Sequence, residues 1–166
     1  PAGIVIHTAI HAARPDVACI AHTHTNAGMA VACSKEGLRN ENFYSALLHN
    51  RVAYHDFEGI TLMDDEKPRL VANLGDKNML ILRNHGLLAC GRSIAEAFQS
   101  IWAMQRACEV QVAGDSTGKP MIPVGADVLV RTEQLMTMQS MGQPIGELEF
   151  AALTRIIEKI DPSFKE

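Results

Sequence analysis

The chain has 166 residues, 47% of them hydrophobic and 20% charged, with a formal net charge of −4. That length supports one domain with a buried core, and the acidic balance offers neither a basic footprint for nucleic acid nor a cationic face for membrane lipid. No apolar stretch approaches a membrane span, no secretory signal is visible, and four cysteines without a C-x-x-C pair read as reduced thiols of a cytoplasmic protein.

In chain order, Val5 to Ala13 sets Val5, Ile6, Ala9, Ile10 and Ala13 on one stripe of a helix. Pro15 ends it, because the residue before a proline is pushed out of the helical region. Val17 to His24 follows as a strand, and Thr25 and Asn26 cap a short helix over Ala27–Cys33. Ser34 to Asn42 is a polar loop, and Phe43 to His49 gives a helical turn or two. Arg51 to His55 reads as a short strand and Asp56 to Gly59 as a turn. The acidic run Asp64 to Lys67 is expected to be a solvated turn before a helix over Pro68–Leu74, closed by Gly75. Met79–Leu82 and Leu87–Cys90 flank the Asn84-His85-Gly86 corner as a hairpin or a tight turn. Ser93 with Glu96 forms a capping box for the longest helix, running to Val112. Val128–Met141 and Phe150–Ile160 supply two further helices, with Met136, Met138 and Met141 read as core or subunit packing. Strands interleaved with helices predict an α/β sandwich. It forms one domain over residues 1–166, with a C-terminal helical part over 113–166. Because Ile4 to Ala13 already has the character of a domain interior, an N-terminal part of the natural protein is expected to be missing before Pro1.

The residues that carry chemistry are histidines. His22 and His24 are two apart at the end of a strand, so their side chains point to the same face. His85 follows the end of a second apolar run and can supply a third imidazole. Three neutral imidazoles with one open position form the ligand set of a catalytic zinc site, although nickel, cobalt or manganese also suit imidazole. His7 and His11 share a helix face at i, i+4, a spacing that could also clamp a metal, and read first as packing residues with polar contacts. His55, Asp56 and Glu58 lie together, where Asp56 or Glu58 could hydrogen-bond a ligand histidine or stabilise a turn. Asp56, Glu58, Tyr54 and Glu36 are the candidates for acid–base work, and none stands at a position that singles it out.

Five blocks, in order and spacing, resemble the class II aldolase/adducin family. They are Ile6-His7 through His11-Ala12-Ala13-Arg14-Pro15-Asp16-Val17, His22-Thr23-His24-Thr25, Val52-Ala53-Tyr54-His55-Asp56, Asn73-Leu74-Gly75 and Leu80-Ile81-Leu82-Arg83-Asn84-His85-Gly86. The resemblance covers roughly Ala2 to Val112 and implies a single-domain α/β/α sandwich with a mostly antiparallel central sheet. It further implies zinc on His22, His24 and His85, and a homotetramer with active sites at subunit interfaces.

Two positions depart from the sugar-phosphate aldolases of that family. Their acid ahead of the H-x-H pair, both metal ligand and base, falls on Gly3 here, which can do neither job. Their C-terminal tyrosine has no counterpart, since the chain holds only Tyr44 and Tyr54. Around Gly3 the wording is closer to the adducin head domain and its bacterial relatives. The resemblance therefore implies a zinc-binding aldehyde-lyase, or a related enzyme, on a small hydroxy-carbonyl or sugar (phosphate) compound. The alternative is a non-catalytic adducin-like assembly domain, with actin- or spectrin-type contacts only in that case.

Overall fold

The computed structural model describes residues 2–59, 64–142 and 145–165. Its first half runs α1 (Ala2–Ala13), β1 (Cys19–Thr23), α2 (Asn26–Cys33), α3 (Phe43–Leu47) and β2 (Val52–His55), then a 3-10 turn at Asp64–Glu66 and α4 (Lys67–Leu74). β3 (Met79–Leu82), β4 (Gly86–Gly91), α5 (Ile94–Asp115), α6 (Ala126–Gly142) and α7 (Glu147–Ile160) follow, with a last 3-10 turn at Pro162–Lys165.

The four strands form one sheet in the order β1-β4-β3-β2. β4 pairs antiparallel with β1 and with β3, and only the β2–β3 pairing is parallel. The mostly antiparallel α/β/α sandwich expected from the sequence is therefore the observed fold. Strand alternation explains the two layers of core. Leu80, Leu82, Leu88 and Cys90 face Ile6 and Ile10 of α1 and Leu70 and Leu74 of α4. Met79, Ile81, Leu87 and Ala89 face the other way, onto Val31 and Ala32 of α2 and Ile101, Met104, Ala107 and Cys108 of α5. Because both faces are covered, β3 and β4 read as continuous apolar runs, and every one of their residues is buried.

Local chemistry sets the element ends. Thr25 caps α2 by accepting from the Gly28 amide, and Asn42 caps α3 with a reciprocal Ser45 box. Arg14 leaves α1 as a clip: its guanidinium binds Asp16 and donates to the carbonyls of Gly75 and Lys77 and to Asn78 Oδ1. That clip ties the end of α1 to the turn that launches β3.

Three expectations need correction. The Ser93–Glu96 pair is not a reciprocal box: Ser93 Oγ accepts from the Glu96 amide, but Glu96 Oε2 reaches back to the Arg92 amide and guanidinium instead. The acidic run is not a plain solvated turn, because Glu66 is buried at its end; the Asp64 side chain lies outside the described residues. Of the core or subunit-packing reading of the C-terminal methionines, the core half fails for Met138, which is 70% exposed; the Met141 side chain also lies outside the description. No helix of the described residues is long and apolar enough to cross a membrane.

Candidate metal centre

β1 carries His22 next to its end and His24 just beyond it, while Thr23 between them pairs with Leu87 on β4. His85 is the last residue of a three-residue loop, Arg83-Asn84-His85, that joins β3 to β4. Asn84 takes the left-handed conformation (φ 56°) that such a loop requires and that asparagine tolerates. The loop is pinned from two sides. Arg83 N donates to His55 O at 2.8 Å, Asn84 N to Ala32 O at 3.2 Å, and Arg83 Nη1 to Ser34 O at 2.8 Å.

β4 lies against β1, so this anchoring brings the three imidazoles together. The ring centroids of His22, His24 and His85 are 4.6, 4.9 and 4.7 Å apart, and one nitrogen from each falls within 4.8 Å of the others. His22 Nδ1–H donates to the Leu87 carbonyl at 2.8 Å, which fixes the tautomer and leaves Nε2 bare. That Nε2 faces His24 Nε2 at 2.8 Å. Tetrahedral ligation with bonds of about 2.0–2.1 Å needs ligand nitrogens roughly 3.3 Å apart, so the His22–His24 pair has to open by about half an ångström to take a divalent ion, with His85 within 4.8 Å of both. Gly86 completes the fit: a Cβ there would run into the Thr23 carbonyl and stand 3.1 Å from His24 Cδ2.

The electrostatics suit ligation as well. Burial pulls the His22 pKa down to about 4, opposed by its bond to Leu87 and reinforced by His85, His24 and His7. Burial and then His24 lower His85, with Glu66 opposing. Both rings are thus neutral near pH 7 and offer lone pairs rather than protons. Phe57 presents its ring to His85 at 6.2 Å between centroids.

The other sequence candidates lie around this cluster without joining it. Tyr54 accepts from the Leu38 amide at 3.0 Å and lies under the Arg83 guanidinium at 4.3 Å, so its hydroxyl serves the fold. Asp56 lines an open polar hollow of about 500 Å³ with Ser34, Lys35, Phe57, Arg83 and Asn84, next to the His85 loop. Glu58 is held by Arg69, which keeps its carboxyl below the ordinary range, and it stands 4.0 Å from His55 Nε2. Glu36 is exposed beyond α2, and His49 follows the end of α3. Gly3 falls in the first turn of α1. His7 and His11 have ring centroids 6.5 Å apart; His11 Nδ1 donates to Val17 O, and burial followed by His11 lowers His7.

The sequence reading missed Glu66. His55 is 2% exposed, with Nε2 donating to Glu66 Oε1 at 3.1 Å and Nδ1 accepting from Asn73 Nδ2 at 2.9 Å. This network fixes His55, whose carbonyl in turn holds the loop of His85. In the sequence, His55 and Asn73 stand in family-like blocks, while Glu66 is hidden within an acidic run.

The family description "Class II Aldolase and Adducin N-terminal domain" matches residues 1–112. A Pseudomonas aeruginosa protein named for class 2 aldolases is 42% identical over 168 residues, covering 100% of this chain and 65% of its own length. Rat alpha-adducin is 41% identical over 170 residues, covering 96% of this chain and 23% of that protein. The crystal structure of an aldolase II superfamily protein from Pseudomonas syringae superposes with TM-score 0.85 at 41% identity, over 95% of this chain and 62% of that one. An L-fuculose 1-phosphate aldolase from Glaciozyma antarctica superposes with TM-score 0.78 at 28% identity, over 98% and 60%. The chain thus spans 60–65% of the three aldolase-named relatives and 23% of the adducin.

Proposed function

The chain belongs to the class II aldolase and adducin family, and from that premise we propose that it is a divalent-metal protein of the aldehyde-lyase type. Its substrate is a small hydroxy-carbonyl or sugar compound, phosphorylated or not. Class II aldolases generally use a divalent metal, and one relative in fold is named for a sugar phosphate. The observation that carries the proposal is the convergence of His22, His24 and His85, two of them held neutral, at the junction of β1 and β4. A divalent ion there, zinc in the first instance, supplies Lewis-acid polarisation of a substrate carbonyl, worth several kcal/mol.

The chain's own residues would do the remaining work. His22 and His24 aim their nitrogens from a rigid strand, and the anchored loop aims His85. Phe57 gives the site an apolar wall beside His85, and the Asp56 hollow opens next to it. Asp56 is the better proton carrier of the sequence candidates, since Glu58 is clamped by Arg69 and Tyr54 by Leu38 and Arg83. With Gly3 in place of an acid, a further acid–base group has to come from outside the described residues or from a second subunit of the homotetramer included in this proposal. A cytoplasmic location belongs to the same reading.

Glycine at position 3 and 41% identity to rat alpha-adducin favour a second reading, a binding or assembly domain that keeps the histidine cluster without catalysis. Elemental analysis of protein purified without added metal tests the first reading. About one equivalent of zinc per chain, absent in His22→Ala and His85→Ala, is the expected result. An empty wild-type protein that also refuses offered zinc, nickel, cobalt and manganese would leave the assembly reading in front.

A further inference from the structure

On the α3–α5 face of the sheet, at the end remote from His85, a cavity of about 660 Å³ opens between α3, α5, α6 and α7. Its walls are mostly apolar, with Leu47, Leu48, Met79, Met136 and Leu148 among them. Arg51 enters this cavity from the turn before β2, where Asn50 holds a left-handed φ of 57°. The guanidinium is half-buried, and among the described residues it makes no hydrogen bond and no ion pair. Glu96 is the carboxylate whose charge it feels, and that group is already committed to the amide and guanidinium of Arg92. Burial lowers the Arg51 pKa accordingly.

A five-donor cation half withdrawn from water and without a protein partner among the described residues keeps its donors available to a ligand. A mostly apolar cavity of this size with a cation in its wall has the character of a small-molecule site. The charge balance then narrows the ligand. One guanidinium faces the cavity, while Glu147 and Glu149 stand on its lining and repel a dianion more strongly than a monoanion.

We propose that this cavity binds a small amphipathic monocarboxylate, its carboxylate on the Arg51 fork and its hydrocarbon body along Leu47, Leu48, Met136 and Leu148. A planar carboxylate matches the two parallel donors of the guanidinium. The site is separate from the histidine cluster, so it stands whether or not the metal reading does.

Calorimetric titration with octanoate, using 1-octanol and octyl phosphate as comparators, tests this assignment. Octanoate is expected to saturate one site per chain, with octanol and octyl phosphate each at least about tenfold weaker, as loss of a charge-assisted pair implies. Arg51→Met should weaken octanoate by a similar factor while the protein melts no lower, because the cation it removes has no partner. Arg51→Lys, which keeps the charge but loses the fork, should fall between, and it carries the test should Arg51→Met not fold. His22→Ala should bind octanoate like the wild type. Equal affinity for octanoate and octanol, tighter binding of octyl phosphate, undiminished binding by both Arg51 variants, or no saturable binding would each overturn the proposal.

Discussion

Gly86→Ala tests whether the approach of β4 to β1 builds the histidine cluster. The backbone at Gly86 is open to any residue, since its φ is not in the left-handed region. The obstacle is space: an added Cβ would fall inside the 3.0 Å that such atoms essentially never cross against Thr23 O, and 3.1 Å from His24 Cδ2. Thr23 is flanked by two of the three proposed ligands, His22 and His24, so relief has to come from separating the ends of β1 and β4. Overpacking of this kind costs about 1–3 kcal/mol, and a weakened ladder bond adds about 1 kcal/mol. The stiffer unfolded chain of alanine offsets about 0.4–1 kcal/mol. A net loss of about 1–3 kcal/mol follows, at roughly 2–4 °C in Tm per kcal/mol for a chain of this size. Urea unfolding gives the stability, and competitive zinc titration gives the affinity of the displaced cluster, which should fall at least about tenfold if second-contact shifts act as they do in other metal sites. Wild-type stability together with wild-type zinc affinity in Gly86→Ala would refute the reasoning.

Acid should weaken the metal-free protein through His22. Between about pH 6.5 and 4 the unfolded ring holds a proton that the folded ring does not, so stability rises with pH across that window and is lost on acidification. The ring is partly open to solvent, so the effect is about 1–2 kcal/mol after screening. His7 and His85 shift in the same direction. Urea midpoints at pH 7 and 4.5 should differ by less in His22→Ala, and equal differences would count against it. Glu66→Ala strands the buried Nε2–H of His55 and should cost about 1–3 kcal/mol, with Glu66→Gln losing less because it keeps an acceptor; identical unfolding curves for all three proteins would show that the bond contributes nothing. Arg14→Lys removes the fork that spans Asp16, Gly75, Lys77 and Asn78 and should cost about 1–3 kcal/mol by denaturation, with faster amide exchange at Cys90, whose N–H is held by Asn78 O. Unchanged exchange there would remove the clip from the account.

Periodicity and punctuation were enough to read the elements. The stripe of α1 with its Pro15 stop, the apolar runs of β3 and β4 and the Asn84 corner are short-range signals, each written within a few residues. Strand alternation likewise put His22 and His24 on one face before any tertiary contact was known, because a period of two is a local property of the backbone. Other features required the folded chain. Glu66 and His55 are 11 residues apart, and nothing local distinguishes a buried acid from its exposed neighbours in an acidic run. The roles of Tyr54, under Arg83, and of Glu58, clamped by Arg69, follow from contacts across 29 and 11 residues. Arg51 reads as an ordinary surface cation until α6 and α7 close over it. Residue type and short-range spacing suffice to say which residues could be ligands and which elements carry them. Tertiary structure alone decided that His85 meets His22 across 63 positions, and which acids are free and which are spent, because burial and partnership are properties of the packed chain.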